Sequence, residues 1–363
     1  MARRRAAVVD EIAERKQAHL DLCLNEDVEA SVKSTLLEEV ELVHDALPDL
    51  ALDEVDTSTS WLGKRLKAPL VITGMTGGTR SAFRVNRDIA RVAEEAGIAF
   101  GVGSQRAMQK RPSSEWTYRV REHAPSTVVL ANIGIGQAQE MDLPAFESLI
   151  DALDADGLCL HLNVAQELIQ PEGDRAFQDG TKVFRRLAKH LRTPVIAKET
   201  GCGISRAVAE RLYAAGVRHV DVSGAGGTSW VRIEALRAPD AERLGGLFRD
   251  WGVPTAASLV QLRGLRMRRI ASGGIRSGLD VARALALGAD LAGVALPVYR
   301  AYQAGGVDGA RRFVASLVHE LRVAMLLTGC GSIADMRRAP VILGEKLKRW
   351  EPKPKSKSKR RGR

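Results

Sequence analysis

The 363-residue chain is short of cysteine, short of aromatic residues and without any long apolar run. Its four cysteines, Cys23, Cys159, Cys202 and Cys330, stand far apart with no CxxC pair. That fits buried thiols in a reducing compartment and argues against a zinc site. Only Cys202, in "ETGCGIS", has a polar, glycine-rich setting, and it reads as a packed thiol rather than a nucleophile. No run approaches the ~18 apolar residues of a membrane span. The N-terminus, "MARRRAAVVDEIAERK", is interrupted by Asp10, Glu11 and Glu14 and lacks the apolar centre of a signal peptide. A cytoplasmic protein without a membrane span is expected.

Acidic residues are nearly missing from one place only. The formal net charge is +10, and Lys346 to Arg363 carries nine of it, with Glu351 as the sole acid there. The rest of the chain is about neutral. "KPKSKSKRRGR" reads as a disordered, solubilising basic tail rather than a specific nucleic-acid site.

What is present is a core, at 45% hydrophobic residues, and a repeating pattern. Residues 1–60 read mostly as helix with loops, a separate N-terminal segment. From Pro69 short apolar runs alternate with amphipathic stretches. The runs are "PLVITGM", "GIAFGVG", "STVVLANIG", "DGLCLHLN", "TPVIAKE", "HVDVSG", "RRIASGG" and "DLAGVALP". Between them lie helix candidates such as "SAFRVNRDIARVAEEAG" and "LDVARALALGA". Near-continuous apolar strands alternating with helices imply a parallel sheet covered on both faces. Eight repeats point to a (β/α)8 TIM barrel over 61–345, with 346–363 as the tail. A doubly wound sheet would not be expected to repeat so regularly.

Polar and glycine residues cluster after each apolar run, where a barrel places its active site. Turn chemistry alone explains the glycines. It does not explain Ser104, Arg106, Asn132, His161 and Lys198 at equivalent strand ends. The glycine-rich loops "SGAGGTSW", "SGGIRSG" and the end of "ADLAGVALP" together suggest a phosphate grip. Lys198 would point into the mouth, to form a Schiff base, to balance an electron-rich ring, or to pair with Glu199 or another carboxylate. "TGMTGG" would let backbone approach a flat ring.

The motifs "RKQAH", "MTGGT", "GVGSQRAM", "ANIG", "HLNVAQELIQPEGDR", "KETGCGIS", "DVSGAGGTSW" and "ASGGIRSGLD" together resemble type 2 isopentenyl-diphosphate isomerase, from about Arg15 to Gly344. The long "HLNVAQELIQPEGDR" motif and "GSQR" are specific; "GGIRSG" is shared more widely among FMN barrels. The resemblance implies an FMN-dependent barrel converting isopentenyl diphosphate to dimethylallyl diphosphate. It implies reduced FMN, NADPH as the reductant, Mg2+, and a homo-oligomer (tetramer or octamer). By position it assigns Thr73, Gly74, Met75, Thr76, Gly77, Ser104, Asn132, Lys198, Ser223 and Thr228 to FMN. Gly273, Gly274, Ile275, Arg276, Ala295 and Leu296 would hold its phosphate. Arg15, Lys16, His19 and Arg106 would face the substrate diphosphate, with Ser104 and Gln105 nearby. His161, Asn163 and Gln166 would be the catalytic set in the substrate pocket, with Gln166 at the isoprene end, and Glu167 would hold Mg2+.

The stretch "HLNVAQELIQ" has its own logic. His161 and Asn163 are two apart on a strand and share a face. Gln166 and Glu167 are expected in the loop after it, aimed at different targets. A carboxylate suits a hard cation on phosphate oxygens. A neutral amide suits an alkene end, where a carboxylate would trap a developing carbocation. A helical turn with Gln166 and Glu167 exposed is the plainer alternative. A rival FMN barrel oxidoreductase, acting on a hydroxy acid or small phosphorylated substrate, would need a catalytic His or Cys in "SGAGGTSW" or "ASGGIRSG". Neither loop holds one.

Overall fold

The computed structural model describes residues 2–352, with side chains from Glu14 onward. Helix α1 (Ala2–Asn25) is followed by β1 (Val40–Leu42) and a hairpin of β2 (Thr59–Trp61) and β3 (Lys64–Leu66). The expectation of mostly helix up to residue 60 is therefore corrected: helix ends at Asn25, and only short 3-10 turns follow. The physical reason is that this segment binds the barrel as extended chain. Ala30 N–H donates to the Gly227 carbonyl at 2.8 Å, and Ser229 N–H to Val28 at 2.8 Å. Val28, Leu37 and Val40 are fully buried along it.

The eight apolar runs form eight strands. They are β4 (Leu70–Ile72), β5 (Ala99–Gly101), β6 (Val129–Gly134), β7 (Gly157–Leu162), β8 (Val195–Glu199), β9 (His219–Asp221), β10 (Arg268–Ser272) and β11 (Leu291–Val294). All pairings are parallel, and β11 closes the ring on β4 with Ala292 opposite Leu70. The two helix candidates fall where expected, at Arg80–Ala96 and Gly278–Ala286, and further helices at Gly180–His190 and Arg206–Ala214 cover the barrel between them. Thr79 caps the first of these, its hydroxyl accepting from Ala82 N–H at 3.1 Å.

Strand side chains alternate, so every second residue points into the barrel. The lower layer is apolar: Val71, Ala99, Leu130, Cys159, Ile196, Ile270 and Leu291. The β2–β3 hairpin plugs it with Trp61 and Leu66. Each such burial contributes roughly 1.5–3 kcal/mol. Two residues further along, the inward layer turns to Thr73, Asn132, His161, Lys198 and Ser272, with Gly101 and Gly293 leaving space between them, and that layer floors the site. The hairpin straddles the 60/61 division, and β1 pairs with β12 (Val341–Leu343), so the N-terminal segment is stitched to both ends of the barrel.

The fold also runs past Lys346. A short helix spans Glu345–Lys348, and Leu347 is fully buried. The expected tail beyond Lys353 lies outside the described residues. Among the described residues no helix is long and apolar enough to cross a membrane.

Candidate active site

The cavity at the C-terminal face encloses about 1430 Å³ of space, its solvent-open mouth included. Every barrel strand contributes a wall residue, and α1 lies across the rim with Arg15, Lys16, His19, Leu20 and Cys23. Segments far apart in sequence, from Arg15 to Tyr299, thus meet around one opening.

The floor is set by the inward layer. Lys198 Nζ lies 2.7 Å from Asp221 Oδ2, and Ser272 Oγ donates to Asp221 Oδ1 at 2.6 Å. Lys198 is therefore an ion-paired lysine lining the cavity, with Asp221 as its partner rather than the adjacent Glu199. Glu199 turns aside, and its Oε2 accepts from the N–H groups of Thr200 (2.7 Å), Gly201 (2.8 Å), Cys202 and Gly203 (3.2 Å). Burial pushes its pKa up to about 7, against the N–H groups of Cys202, Gly201 and Thr200 and the charge of Lys198.

Asn132 sits beside this pair. Its Nδ2 donates to the Val102 carbonyl at 3.1 Å, which turns Oδ1 toward His161 Nδ1 at 2.9 Å. His161 Nδ1 must then carry the proton, leaving Nε2 as an acceptor. Desolvation, then Lys198, Arg106 and Lys16, push the His161 pKa down to about 3. Burial and the neighbouring cations thus favour the neutral form of the His161 ring.

Glycine walls the side formed by β10, β11 and β4. Gly273 and Gly274 adopt φ of 93° and 79°, reachable without strain by glycine alone. A Cβ on Gly273 would lie 2.2 Å from the Gly224 carbonyl oxygen. Arg276, Ala295 and Leu296 continue this wall, the last two at the start of the helix Leu296–Leu326. Thr76 Oγ1 is buried there without a hydrogen-bond partner. Helix N-terminus, glycine backbone and Arg276 form a donor set that suits a phosphate, and the neighbouring Thr73–Thr76 backbone suits a flat ring. The residues fit FMN.

Beside it, where α1 meets the loops after β4 and β5, the wall is charged. Lys16 Nζ donates to the carbonyls of Gly77 and Ser104 (3.1 Å) and to Tyr118 Oη (3.1 Å). Burial, then Arg15 and Arg106, push its pKa down to about 7. Arg106 Nε is buried without a hydrogen-bond partner. Arg15, Lys16 and Arg106 form a cationic rim that suits a diphosphate.

Gln166 and Glu167 lie on a helix, Val164–Ile169, not in a loop as expected. Its apolar side packs Ala165 and Ile169 against Val231 and Ala235. Nor are the two exposed: Glu167 is buried and Gln166 half-buried. They do face different partners. Gln166 Nε2 donates to Glu234 Oε1 at 2.9 Å, while Glu167 Oε1 accepts from Asn163 Nδ2 at 2.7 Å. Among the described residues no cluster of three or more His, Cys, Asp or Glu forms a metal cage. Glu167 alone fits Mg2+ only if substrate oxygens and water complete the shell, which is how Mg2+ is usually held.

Three expected site residues do not line the cavity. Gln105 points into the wall, its Nε2 donating to the Leu149 carbonyl at 2.9 Å and its Oε1 accepting from Asn132 N–H at 3.0 Å. Gly77 backs onto Tyr118, whose ring lies 2.3 Å from a Cβ built there. Ile275 is buried in the core. The remaining expected residues, Met75, Ser104, Ser223 and Thr228 among them, all line it.

Sequence reasoning missed Glu234, Asp221, Gln170 and Trp230. Glu234 is fully buried, with His19 Nε2 at 3.0 Å and Arg237 Nε at 2.8 Å. Burial pushes it up, but its contacts with His19, Gln166 and Arg237 win and hold its pKa down to about 2. With its amide oriented to match its neighbours, Gln170 donates to Glu234 at 3.1 Å and accepts from Arg15 at 2.8 Å. Trp230 stacks edge-on against His19 at 5.2 Å. The signal available was Glu234 itself, an acid four residues after the Trp230 that ends "SGAGGTSW", flanked by Ile233 and Ala235.

Residues 161–342 match the family model described as FMN-dependent dehydrogenase. The chain is 44% identical to the isopentenyl-diphosphate delta-isomerase of Methanosarcina mazei, with 93% of each chain covered. It is 46% identical to that of Methanopyrus kandleri, again over 93% of each. Among solved structures, a mandelate oxidase mutant with an FMN adduct superimposes with a TM-score of 0.63 at 21% identity, covering 91% of this chain and 99% of that one. That likeness shows the fold alone. The motif-rich cavity and the near full-length identity agree, and the chain belongs to the FMN-dependent, type 2 isopentenyl-diphosphate delta-isomerase family.

Proposed function

We propose that the protein converts isopentenyl diphosphate to dimethylallyl diphosphate, using reduced FMN and Mg2+, with NADPH as the reductant. The observation that carries this is the pairing of two unlike walls around one cavity. A glycine and backbone wall that fits FMN and a cationic rim that fits a diphosphate line one cavity, with the neutral amide of Gln166 on the same side as the rim.

The reaction adds a proton to one carbon and removes one from another. When bound, reduced FMN would supply that acid–base chemistry. The chain's own residues supply placement. Arg15, Lys16 and Arg106 would bind the diphosphate, and Glu167 would hold Mg2+, which would supply positive charge to it. Gln166 is oriented by the ionised Glu234 and turns the alkene toward the flavin wall. His161 offers its Nε2 lone pair and no proton. Lys198 keeps positive charge beneath the ring site, fixed by Asp221. Helix α1 closes over the mouth and excludes water. The reading includes a cytoplasmic homo-oligomer, a tetramer or octamer, for which the exposed Leu244, Leu247 and Trp251 offer an apolar surface.

The test is product analysis from isopentenyl diphosphate with FMN, NADPH and Mg2+, each omitted in turn. Dimethylallyl diphosphate should form only in the complete mixture, or with chemically reduced FMN in place of NADPH. Turnover without flavin, or no product in the complete mixture, contradicts the proposal.

A further inference from the structure

The motif "HLNVAQELIQPEGDR" continues past its useful acid and amide to Gly173 and Arg175, which the function above leaves unused. The structure gives them a task. The guanidinium of Arg175 reaches back under the helix Val164–Ile169. Its Nη1 donates to the carbonyls of Glu167, Gly173 (3.0 Å) and Asp174 (3.3 Å), and its Nη2 to Gln170 (2.9 Å). The last carbonyls of a helix have no partners within it, and an arginine there satisfies them and complements the helix dipole. One planar fork thus gathers the helix end and the following turn into a single unit.

That fold-back controls the carboxylate. The turn brings Asp174 N–H to 2.8 Å from Glu167 Oε2, while Asn163 Nδ2 holds Oε1 at 2.7 Å. Each carboxylate oxygen therefore has one fixed donor and keeps lone-pair capacity for a cation. Gly173 is required for the same close passage, because a Cβ there would lie 2.0 Å from the Glu167 carbonyl oxygen. Gln137 steadies the turn from β6's side, donating to Asp174 Oδ2 at 2.9 Å.

We infer that Arg175 is a positioning residue that presents the Glu167 carboxylate to a divalent cation by folding the 170–174 turn onto it. The inference rests on the proposed metal role of Glu167. Groups that orient a ligand from behind typically change metal affinity by roughly 10–100-fold when removed.

The test measures Mn2+ binding to the holoenzyme with oxidised FMN and inorganic pyrophosphate, from the free-ion paramagnetic resonance signal. Flavin absorbance per chain reports an intact site. R175M should weaken Mn2+ binding roughly 10–100-fold with flavin content unchanged. R175K should lose less, since an ammonium reaches some carbonyls without the planar fork. E167Q/R175M should be no weaker than E167Q alone, because no carboxylate is left to position. A normal Mn2+ affinity in R175M beside a weakened E167Q overturns the inference and leaves the metal reading standing. Normal affinity in both overturns the metal reading and the inference together. Additive losses in the double variant show that Arg175 acts elsewhere and also overturn it. Should R175M fail to retain flavin, R175K carries the same comparisons.

Discussion

The two sides of the barrel mouth are made of different material. Where β10, β11 and β4 end, the wall is backbone: Gly273, Gly274, Gly293 and Gly74, with Arg276 as its one charged side chain. Where α1 meets the helix Val164–Ile169, the wall is side chain: Arg15, Lys16, Arg106, Gln166 and Glu167, with Glu234 behind them. On the proposed function the first side would recognise a ligand that stays bound, through amides fixed by the fold at no cost in side-chain entropy. The second would handle a ligand that must come and go. It uses long side chains, two of them on the helix that crosses the mouth. A resident cofactor and a turning-over substrate thus call for opposite construction, and the two walls should fail in different ways.

The largest effect should come from the backbone wall. Gly273→Ala forces a left-handed φ and a Cβ against the Gly224 carbonyl, together costing roughly 2–6 kcal/mol. The variant should lose most bound FMN and melt markedly lower, as flavin absorbance and a thermal melt would show. If FMN content survives, the backbone wall is not what holds it. On the other wall, Gln166→Ala should lower kcat roughly 10- to 100-fold through loss of one oriented amide, with flavin content unchanged. An effect on flavin retention instead would erase the distinction between the walls.

The smallest effect is a pH dependence confined to one wall. Lys16, with its pKa pushed down to about 7 in the free protein, must be charged to hold a diphosphate. Below pH 7 it already carries its proton, so binding is insensitive to pH through this group. Above pH 7 binding must take up a proton, and affinity should fall by up to about tenfold per unit. FMN affinity should show no such slope, and Lys16→Ala should flatten the diphosphate slope. A slope that persists in that variant assigns it to another group.

The difference between the walls also explains what the sequence reveals. The barrel was legible because each strand is a short apolar run and each helix an amphipathic one, a local signal repeated eight times. The core of the glycine wall was legible for the same reason, since Gly273 and Gly274 are neighbours in the chain. The side-chain wall was legible only where motif resemblance supplied it. Nothing local in "RKQAH" says that Lys16 reaches Tyr118, a contact between residues 102 apart. Gln105 was misplaced because it neighbours Ser104 and Arg106, yet a strand-to-helix turn rotates it into the wall. Glu234 was missed because its partners, His19 and Gln166, come from two other segments. Residues 26–58 were misread because their apolar positions serve contacts with the barrel rather than a helix face.

The most direct test of the two-wall account is a titration of the FMN-loaded Arg15→Ala/Lys16→Ala protein with inorganic pyrophosphate and Mg2+, beside the parent. Losing two charge-assisted contacts should weaken pyrophosphate binding at least about 100-fold, while flavin per chain stays equal to the parent. Unchanged pyrophosphate affinity, or a matching loss of FMN, would contradict the account.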